Sequence, residues 1–376
     1  MPTDKKELVS LVRCKRYHAD TVRESLCQLL EPWGGIDHII RPGQKVLLKP
    51  NLLAAAKPNE AVTTHPLLIK ILTEFVQGAG GLVFIGDSSG SDSDDYIHRE
   101  TGMHAVALET GAQLIKFDRI IQKDYDGIKK RKLDLAAALD EVDLVINVAK
   151  LKTHPLTGLT GAVKNTYGCL VGKTKKRMHF DFPLPLEFSR FVVDLYMAVK
   201  PEFSIIDAVI AMEGMGPRRG KPRNTGLLMA SRNAVALDCV AAAVTGFKSE
   251  QVTTLTVARE LQLPGADLMD IEIEGLSMEE ALIKDFDQGL AASGKVGWLI
   301  THFPSAWARG VREKRRPYPS FNKYLCDCCG RCALGCPAQI IKLSGSIPEI
   351  DPANCIRCYC CQEFCPRGAI ELTTKR

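Results

Sequence analysis

The sequence predicts a mostly parallel α/β sheet with flanking helices, followed by a small C-terminal α+β module. Short apolar runs alternate with longer helical patterns through about residue 275, which is the rhythm of βαβ units. Asp143–Val148 is a near-continuous apolar run, as expected of a central parallel strand covered on both faces. Cysteines are concentrated near the C-terminus, and 376 residues are enough for a sizeable core and an appended module.

Each element follows from its local pattern. The predicted strands are apolar runs bounded by turn residues: Leu8–Arg13, Lys45–Lys49, Leu82–Gly86, Gln113–Phe117, Asp143–Val148, Phe203–Ile210, Leu227–Ala230 and Met269–Ile273. The predicted helices are Ala19–Leu30, Pro66–Gln77, His98–Thr110, Leu186–Val199 and Ala234–Val244. The first helix ends near Pro32, and the second is closed by Gly78 and the glycines after it.

Composition divides the chain into three parts. We predict an α/β domain over residues 1–294, a linker over 295–324 and a cysteine-rich module over 325–376. The linker contains Trp298, Phe303 and Trp307, followed by a run of arginine and lysine and then two prolines. These aromatic side chains are expected to dock on one of the two domains.

Charge and hydropathy limit the class of partner. The formal net charge of +5 is compatible with an acidic partner or substrate, but it does not by itself predict nucleic-acid binding. The N-terminus does not resemble a signal peptide, and no run approaches the roughly 18 apolar residues of a membrane span. We therefore expect a cytoplasmic protein with no membrane partner, in which those of the 14 cysteines that lie close together in sequence are metal ligands and not disulfides. Nothing in the sequence specifies an oligomeric state.

Eight of the cysteines form two copies of the pattern C-x2-C-x2-C-x3-C-P. The copies are Cys326, Cys329, Cys332 and Cys336, and, 29 residues later, Cys355, Cys358, Cys361 and Cys365. This spacing resembles bacterial-type ferredoxins with two [4Fe–4S] clusters, in which three thiolates of one loop bind one cluster and the fourth binds the other. The resemblance implies one ligand set of Cys326, Cys329, Cys332 and Cys365 and a second set of Cys355, Cys358, Cys361 and Cys336.

Two alternatives concern these cysteines. Structural zinc is one, although zinc sites usually need two CxxC pairs, and a purely structural role for the clusters is the other. Cys328 and Cys360 lie inside the two loops, so either thiol is a candidate for a ligand swap. Of the remaining cysteines, most are expected to be small buried hydrophobes, and Cys169 is singled out by its polar neighbours in sequence.

Polar motifs follow several predicted strands, where ligands bind in an open parallel sheet. The segments are Lys49–Asn51, Thr64–Pro66, Gly86–Gly90, Lys150–His154, Gly161–Asn165 and Glu213–Pro217. Together they resemble the family catalogued as domain of unknown function 362, whose members often carry a ferredoxin module. The resemblance covers most of residues 1–290 and is most specific over LKTHPLTGLTGAVKN. It implies a common fold and a shared polar cleft, and it supplies no reaction.

Residue chemistry then suggests what the cleft binds. The predicted catalytic residues are Lys152, His154, Lys164, His65 and Cys169. The predicted substrate-binding residues are Lys49, Asn51, Thr64, Ser88, Lys150, Thr157, Asn165, His179 and Glu213. Lysines favour an anionic ligand, and histidines or lysines can supply a proton to a reduced substrate. The basic run of residues 173–177 is either a mobile loop that folds over the substrate or a solvated face. RNA binding is a third and weaker alternative, because few aromatic residues are interleaved with the basic ones.

The leading hypothesis is an iron–sulfur oxidoreductase in which two [4Fe–4S] clusters exchange electrons with an anionic small molecule. One alternative is a non-catalytic electron carrier or redox sensor whose α/β domain binds a redox partner protein or an effector. Another is a protein that handles a cofactor or metal as cargo. The sequence has no G-x-G-x-x-G or P-loop in a strand–turn–helix context, so no dinucleotide is predicted.

Overall fold

A computed structural model describes residues 6–90, 93–128, 130–289, 316–343, 345 and 347–373. Its strands are β1 (Glu7–Arg13), β2 (Lys45–Pro50), β3 (Leu82–Ile85), β4 (Gln113–Leu114), β5 (Ile120–Asp126), β6 (Lys130–Ala136), β7 (Leu144–His154), β8 (Gly158–Thr160), β9 (Phe203–Glu213), β10 (Lys221–Ser231), β11 (Ile271–Gly275), β12 (Tyr318–Phe321), β13 (Ile341–Lys342), β14 (Glu349–Ile350) and β15 (Ile370–Thr373). Its α-helices are α1 (Ala19–Leu30), α2 (Pro66–Gly78), α3 (Asp94–Glu100), α4 (Met103–Thr110), α5 (Ala162–Asn165), α6 (Lys173–Asp181), α7 (Pro185–Val199), α8 (Ala234–Val244), α9 (Thr253–Glu260), α10 (Met278–Ala281), α11 (Arg331–Gly335) and α12 (Cys360–Phe364).

The large domain is built on one mixed sheet with the strand order β11-β1-β10-β9-β7-β2-β3-β4. The pairs β9–β7, β7–β2, β2–β3 and β3–β4 are parallel, as is β1–β11. Antiparallel pairing is confined to β10 with its two neighbours and to the short strand β8 on β7. The predicted α/β class with a mostly parallel sheet and flanking helices is therefore confirmed.

Both faces of this sheet are covered. Successive residues of β1 show it: Leu11 belongs to the core on one face and Val12 to the core on the other. In β7, Ile146 and Val148 pack into one core while Leu151 packs into the opposite one. Burial on both faces explains why β7 begins as a continuous apolar run, because neither set of alternating side chains meets water.

Several predicted boundaries needed correction. The predicted helix His98–Thr110 is two helices, α3 and α4, broken at Gly102, whose φ of 80° does not fit an α-helix. Strand β7 continues to His154, since its terminal lysines are buried although they are charged. The hairpin β5–β6 and helix α9 were not predicted; β5 in particular is largely exposed and lacks an alternating apolar face.

The C-terminal module is a small α+β unit. Strand β12 pairs with β15, β13 pairs with β14, and the short helices α11 and α12 lie between them in sequence. Because Tyr318–Phe321 pairs with Ile370–Thr373, the module begins before the predicted boundary at 325. The linker aromatics Trp298, Phe303 and Trp307 lie outside the described residues. Within the described residues, no helix combines the length and the apolar character needed to cross a bilayer.

Candidate functional site

The main cavity spans about 670 Å³ of space, open solvent at its mouth included, and lies beyond the carboxyl ends of β2, β3 and β7. Its lining includes the predicted residues Asn51, Ser88, Lys152, His154, Lys164, Asn165 and His179. It also includes Asp87, Lys175 and Lys176, which lie in the polar and basic segments noted above but were not predicted individually, and Thr160, Tyr167, Cys360, Glu363 and Phe364, which were not predicted as cavity residues. The last three come from α12 of the C-terminal module, so both parts of the chain form the cavity.

Lys152 is the most deeply buried lysine of the cavity wall. Its Nζ donates to Asn51 Oδ1 at 2.8 Å and to the carbonyl of Val62 at 2.7 Å. Its side chain makes no ion pair among the described residues, and burial lowers the pKa of Lys152 to about 7. The ammonium therefore holds a proton that it can release near neutral pH.

Lys164 presents a second ammonium to the cavity. Its Nζ lies 4.4 Å from the centroid of the Tyr167 ring and 5.5 Å from that of Phe188. Within the described residues no hydrogen bond or ion pair engages this ammonium, and burial lowers the pKa of Lys164. The Lys164 ammonium can therefore pair with a ligand anion. The faces of the two aromatic rings stabilise its positive charge.

His179 lies against the same aromatic group. Its ring stacks on Phe188 at 4.5 Å and meets Tyr167 edge-on at 5.5 Å. Burial lowers the pKa of His179 to about 3, so the ring is neutral at physiological pH. Its Nδ1 has no hydrogen-bond partner in the part of the chain that the structure describes, and neither has Thr160 Oγ1. Buried polar atoms without partners in a cavity wall indicate a place for ligand or water.

The tautomer of His154 is set by the backbone. Its Nδ1 accepts hydrogen bonds from the N–H of Leu156 at 3.1 Å and of Thr157 at 3.3 Å, so this nitrogen carries no proton. The proton of the neutral ring is then on Nε2, and burial lowers the pKa of His154. His154 is consequently a hydrogen-bond donor toward the cavity. We had expected His154 or a lysine to supply a proton, and this geometry favours Lys152.

Glu363 brings a carboxylate from α12 into this group of cations. Its Oε1 lies 3.3 Å from His154 Nε2, but no donor is aligned on that oxygen in the described part of the chain. Burial alone would raise the pKa of Glu363, but the His154 contact and the positive charge of Lys164 hold it at about 2. The carboxylate is thus ionised and incompletely bonded.

The floor of the cavity contains a buried ion pair. Lys49 Nζ lies 2.8 Å from Asp87 Oδ1, and the two side chains are 0% and 4% exposed. Asp87 Oδ2 also accepts the N–H of Leu52 at 2.7 Å, which ties the end of β2 to the loop after β3. Lys49 was predicted to bind substrate, and the structure gives it this internal partner.

The basic run of residues 173–177 lies in helix α6 and is neither of the two predicted forms. Lys175 is buried and donates to the carbonyl of Ser88, and burial lowers its pKa to about 8. Lys176 donates to the carbonyl of Leu334 at 2.9 Å and lies over the ring of Phe364. The helix therefore joins the cavity wall to the C-terminal module.

Other predicted residues lie outside the cavity, and the correction has a physical reason in each case. Lys150 faces Asp207 across the β7–β9 pair, with Nζ 3.0 Å from the carboxylate and 2.8 Å from Tyr17 Oη. His65 stacks on Tyr17 at 3.6 Å and accepts from Leu67 N as the cap of α2. These groups form a separate, internally satisfied network.

Four further expectations are corrected in the same way. Thr64 bridges the N–H of Asn51 and the carbonyl of Val148, and Thr157 bonds the carbonyl of Leu159 while its own N–H orients His154. Glu213 lies 3.5 Å from Arg223 and accepts from Asp287 N, away from the cavity. Cys169 is fully buried beside the floor, and burial raises the pKa of its thiol to about 12, so the thiol is protonated at neutral pH and lies outside the cavity lining.

The module cysteines line two further cavities, which span about 300 and 290 Å³ with open solvent included. The first contains Cys326, Cys329, Cys332 and Cys365, and the second contains Cys355, Cys358, Cys361 and Cys336. Each quartet combines three cysteines of one repeat with the fourth of the other, which is the arrangement that two cubane clusters require. Over the described residues, no three or more His, Cys, Asp or Glu side chains converge as a ready-made single-ion site.

The two extra thiols of these loops have different positions. Cys328 lines the first quartet cavity, at the more exposed end of the module, where Cys329 is exposed. Cys360 is buried and lines the main cavity, and it does not line the second quartet cavity. The second quartet is therefore the one that adjoins the main cavity.

Comparison with known proteins gives a family and one clear relative. The family model described as a domain of unknown function (DUF362) matches residues 46–243. A thylakoid-associated protein of Synechocystis is 32% identical over 320 residues, which cover 82% of this chain and 98% of that protein.

Two solved structures match part of this chain. The lactate racemase apoprotein from Thermoanaerobacterium thermosaccharolyticum has 14% identity and a TM-score of 0.40 over 61% of this chain and 55% of its own. A protein from Thermotoga maritima has 12% identity and a TM-score of 0.35 over 55% of this chain and 53% of its own. These two matches span about half of each solved chain.

Proposed function

Because this chain belongs to the DUF362 family, whose description names no reaction, we propose a function from the site itself. The protein is an iron–sulfur oxidoreductase in which two [4Fe–4S] clusters, held by the two cysteine quartets, serve an anionic small molecule bound in the main cavity. When bound, such clusters exchange single electrons over a wide range of potentials. A cytoplasmic location is proposed from the cysteines, which need a reducing compartment to remain available as ligands.

One observation carries the proposal: helix α12 contributes to both sites. Cys361 of this helix lines the second quartet cavity, while Cys360 and Glu363 of the same helix line the main cavity. Neighbouring residues of one short helix thus separate the proposed redox group from the proposed substrate. A fused redox module with this contact is the arrangement expected where electrons are delivered to a bound molecule.

The charges of the cavity support an anionic substrate. Lys152 and Lys164 have no ion-pair partner in the described residues, and the lysine of the floor is already neutralised by Asp87. Glu363 is ionised and offsets only part of this positive charge. A carboxylate or a similar small anion would pair with the Lys164 ammonium at short range and out of bulk water, where such pairing is stronger.

The side chains around that anion have distinct chemical capacities. Lys152 can donate a proton as an electron arrives and can recover it from water, because its pKa of about 7 matches neutral solution. His154 can donate a hydrogen bond from Nε2 to an oxygen that gains charge. The rings of Tyr167 and Phe364 add apolar surface to the wall.

The first experiment determines the iron and sulfide content of the full chain after anaerobic reconstitution. We expect about eight iron atoms per chain and EPR signals of reduced [4Fe–4S] clusters. Cys361→Ala should lose about half of the iron, whereas Cys27→Ala, at an exposed cysteine of α1, should retain all of it. Zinc in place of iron, or equal iron in both variants, would refute the cluster assignment.

The second experiment tests catalysis. The reduced protein is mixed with fractions of small anionic metabolites, and reoxidation is followed by visible absorbance. We expect one fraction to reoxidise the clusters, and Lys152→Met to slow this reaction without changing the iron content. Reoxidation by every fraction at the same rate in both proteins would remove Lys152 from the reaction.

A second candidate function is a redox sensor, and one observation favours it. The Glu363 carboxylate already lies among the cations of the cavity, so the site can hold an anion without converting it. A sensor predicts that the affinity for a small anion changes with the oxidation state of the clusters and that no turnover follows. Cargo handling predicts instead a stoichiometric transition metal beyond the cluster iron in the purified chain.

A further inference from the structure

The ring of Phe364 is held between two glycines, one from each part of the chain. A Cβ atom on Gly335, in α11, would overlap the ring edge at Cδ2, and a Cβ atom on Gly90, in the loop after β3, would lie 2.5 Å from Cε1 on the opposite edge. Neither glycine has a positive φ, so the backbone does not require glycine at these positions. The two glycines therefore provide the space that the ring occupies.

Helix α6 contacts the same ring. Lys176 Nζ lies 5.7 Å from the ring centroid, and it donates to the carbonyl of Leu334, the residue before Gly335, at 2.9 Å. Phe364 is 7% exposed and lines the main cavity. The ring is thus packed against both the large domain and the module, and in a close-packed interior it cannot shift without displacing one of them.

Phe364 belongs to an apolar part of the cavity wall, to which Leu53 and Pro217 also contribute. Arg218, the residue after Pro217, donates to the carbonyl of Glu363, the residue before Phe364, at 3.3 Å. The same guanidinium donates to a carbonyl two residues after Leu53, at 3.4 Å. One arginine therefore holds together the three chain segments that carry these apolar side chains.

Polar groups with free hydrogen-bonding capacity form another part of the wall. Within the described residues, the Lys164 ammonium has no hydrogen bond or ion pair, and the buried Thr160 Oγ1 has no partner. Lys152 uses two of its three N–H groups in the bonds given above. A molecule that matches both parts of the wall carries an anionic group and an apolar group.

We propose that the main cavity takes a carboxylate with a short apolar tail, and that Phe364 limits the length of this tail. The carboxylate pairs with the Lys164 ammonium, and the tail lies against Leu53, Pro217 and Phe364. The inference rests on the proposed function, since it takes the anion of the main cavity as the ligand. Each buried methylene of the tail strengthens binding about fourfold until the chain meets the ring. Phe364 sets this limit because its ring, clamped by the two glycines, does not yield to a longer chain.

The test is a calorimetric titration of the anaerobically reconstituted full chain with acetate, butyrate, hexanoate and octanoate. The affinity should rise along the series and stop rising at one chain length. Phe364→Ala should extend the rise to longer chains and leave the affinity for acetate unchanged. Phe364→Leu keeps an apolar side chain without the ring and should shift the limit in the same direction, which covers the case in which Phe364→Ala does not fold.

Two further variants serve as controls. Gly335→Ala should shift the chain-length limit in the unmodified background and have no effect in the Phe364→Ala background, because the added methyl group then meets no ring. Phe180→Ala removes a ring that is 51% exposed on α6 and outside the lining of the main cavity, so all four affinities should be unchanged.

The outcomes separate the inference from the function on which it rests. If the unmodified chain binds none of the four carboxylates, the proposed anion site fails and the inference fails with it. If it binds all four with the same affinity, the apolar tail is wrong and the proposed function stands. A limit that stays the same in Phe364→Ala and Phe364→Leu would remove Phe364 from this role. Equal effects of Gly335→Ala with and without the Phe364 ring would refute the clamp between the two glycines.

Discussion

Breaking the buried Lys49–Asp87 pair should destabilise the large domain strongly, whereas replacing both residues should not. The nitrogen and oxygen are 2.8 Å apart and both side chains are almost fully buried, so their attraction is about 6 kcal/mol at an effective dielectric constant of 20. Desolvation of the two charges offsets most of this in the intact protein. Asp87→Asn leaves the buried Lys49 ammonium without a counter-charge, and the free energy of unfolding is expected to fall by about 3–5 kcal/mol. At about 2 °C per kcal/mol for a large domain, the thermal midpoint falls by roughly 6–10 °C.

The assay is a double-mutant cycle followed by thermal unfolding in the far-ultraviolet circular dichroism. Lys49→Met should cost a similar amount, since the buried Asp87 carboxylate then loses its cation. The double variant should lose less stability than either single variant, because neither buried charge then remains. If the effects of the two single substitutions simply add in the double variant, or if each costs under about 1 kcal/mol, the pair is not the buried interaction described above.

Two further predictions concern the cavity. Binding of sulfate, measured by calorimetry, should weaken as pH rises through about 7, because Lys152 then loses its proton. In Lys152→Met this change of sulfate affinity with pH should disappear. The same pH dependence in that variant would assign the titration to another group. Asp238→Ala should lower the free energy of unfolding by about 1–3 kcal/mol and weaken sulfate binding. The reason is that the Asp238 carboxylate accepts hydrogen bonds from the N–H groups of Ala162 and Val163, at the start of the helix that carries Lys164. Normal stability and normal sulfate affinity in that variant would contradict this capping role.

The sequence predicted the sheet better than it predicted the cavity. Helices α1 and α8 have the predicted bounds, because amphipathic or apolar periodicity and capping residues act locally. Strand β7 was predicted to end before its lysines, since a charged side chain normally marks the surface. Burial of Lys150 depends on Asp207, which is 57 residues away in sequence and adjacent only in the folded sheet.

The cavity residues that were not predicted from the sequence were missed for a different reason. Glu363 and Cys360 lie in the cysteine-rich module, and nothing local indicates that their helix packs against the end of β7. Asp238 could have been singled out from the sequence, because it is the single acidic residue within the apolar helix AVALDCVAAAV. Burial raises its pKa to about 7. A lone acidic residue on an otherwise apolar helix is a reasonable marker for a capped loop nearby.

The composite cavity explains why a ligand site and a redox module would be fused in one chain. Without α12, the carboxylate left in the cavity wall would be Asp87, which is already paired with Lys49, and any small anion could bind near Lys152 and Lys164. With α12 in place, Glu363 supplies one negative charge, and a ligand has to offer better contacts than that carboxylate does. Under the proposed function, selectivity and electron supply would therefore depend on the same helix. Separating the two domains would remove both at once, so a weakly associating redox partner could not replace the module without also losing control over which anion binds.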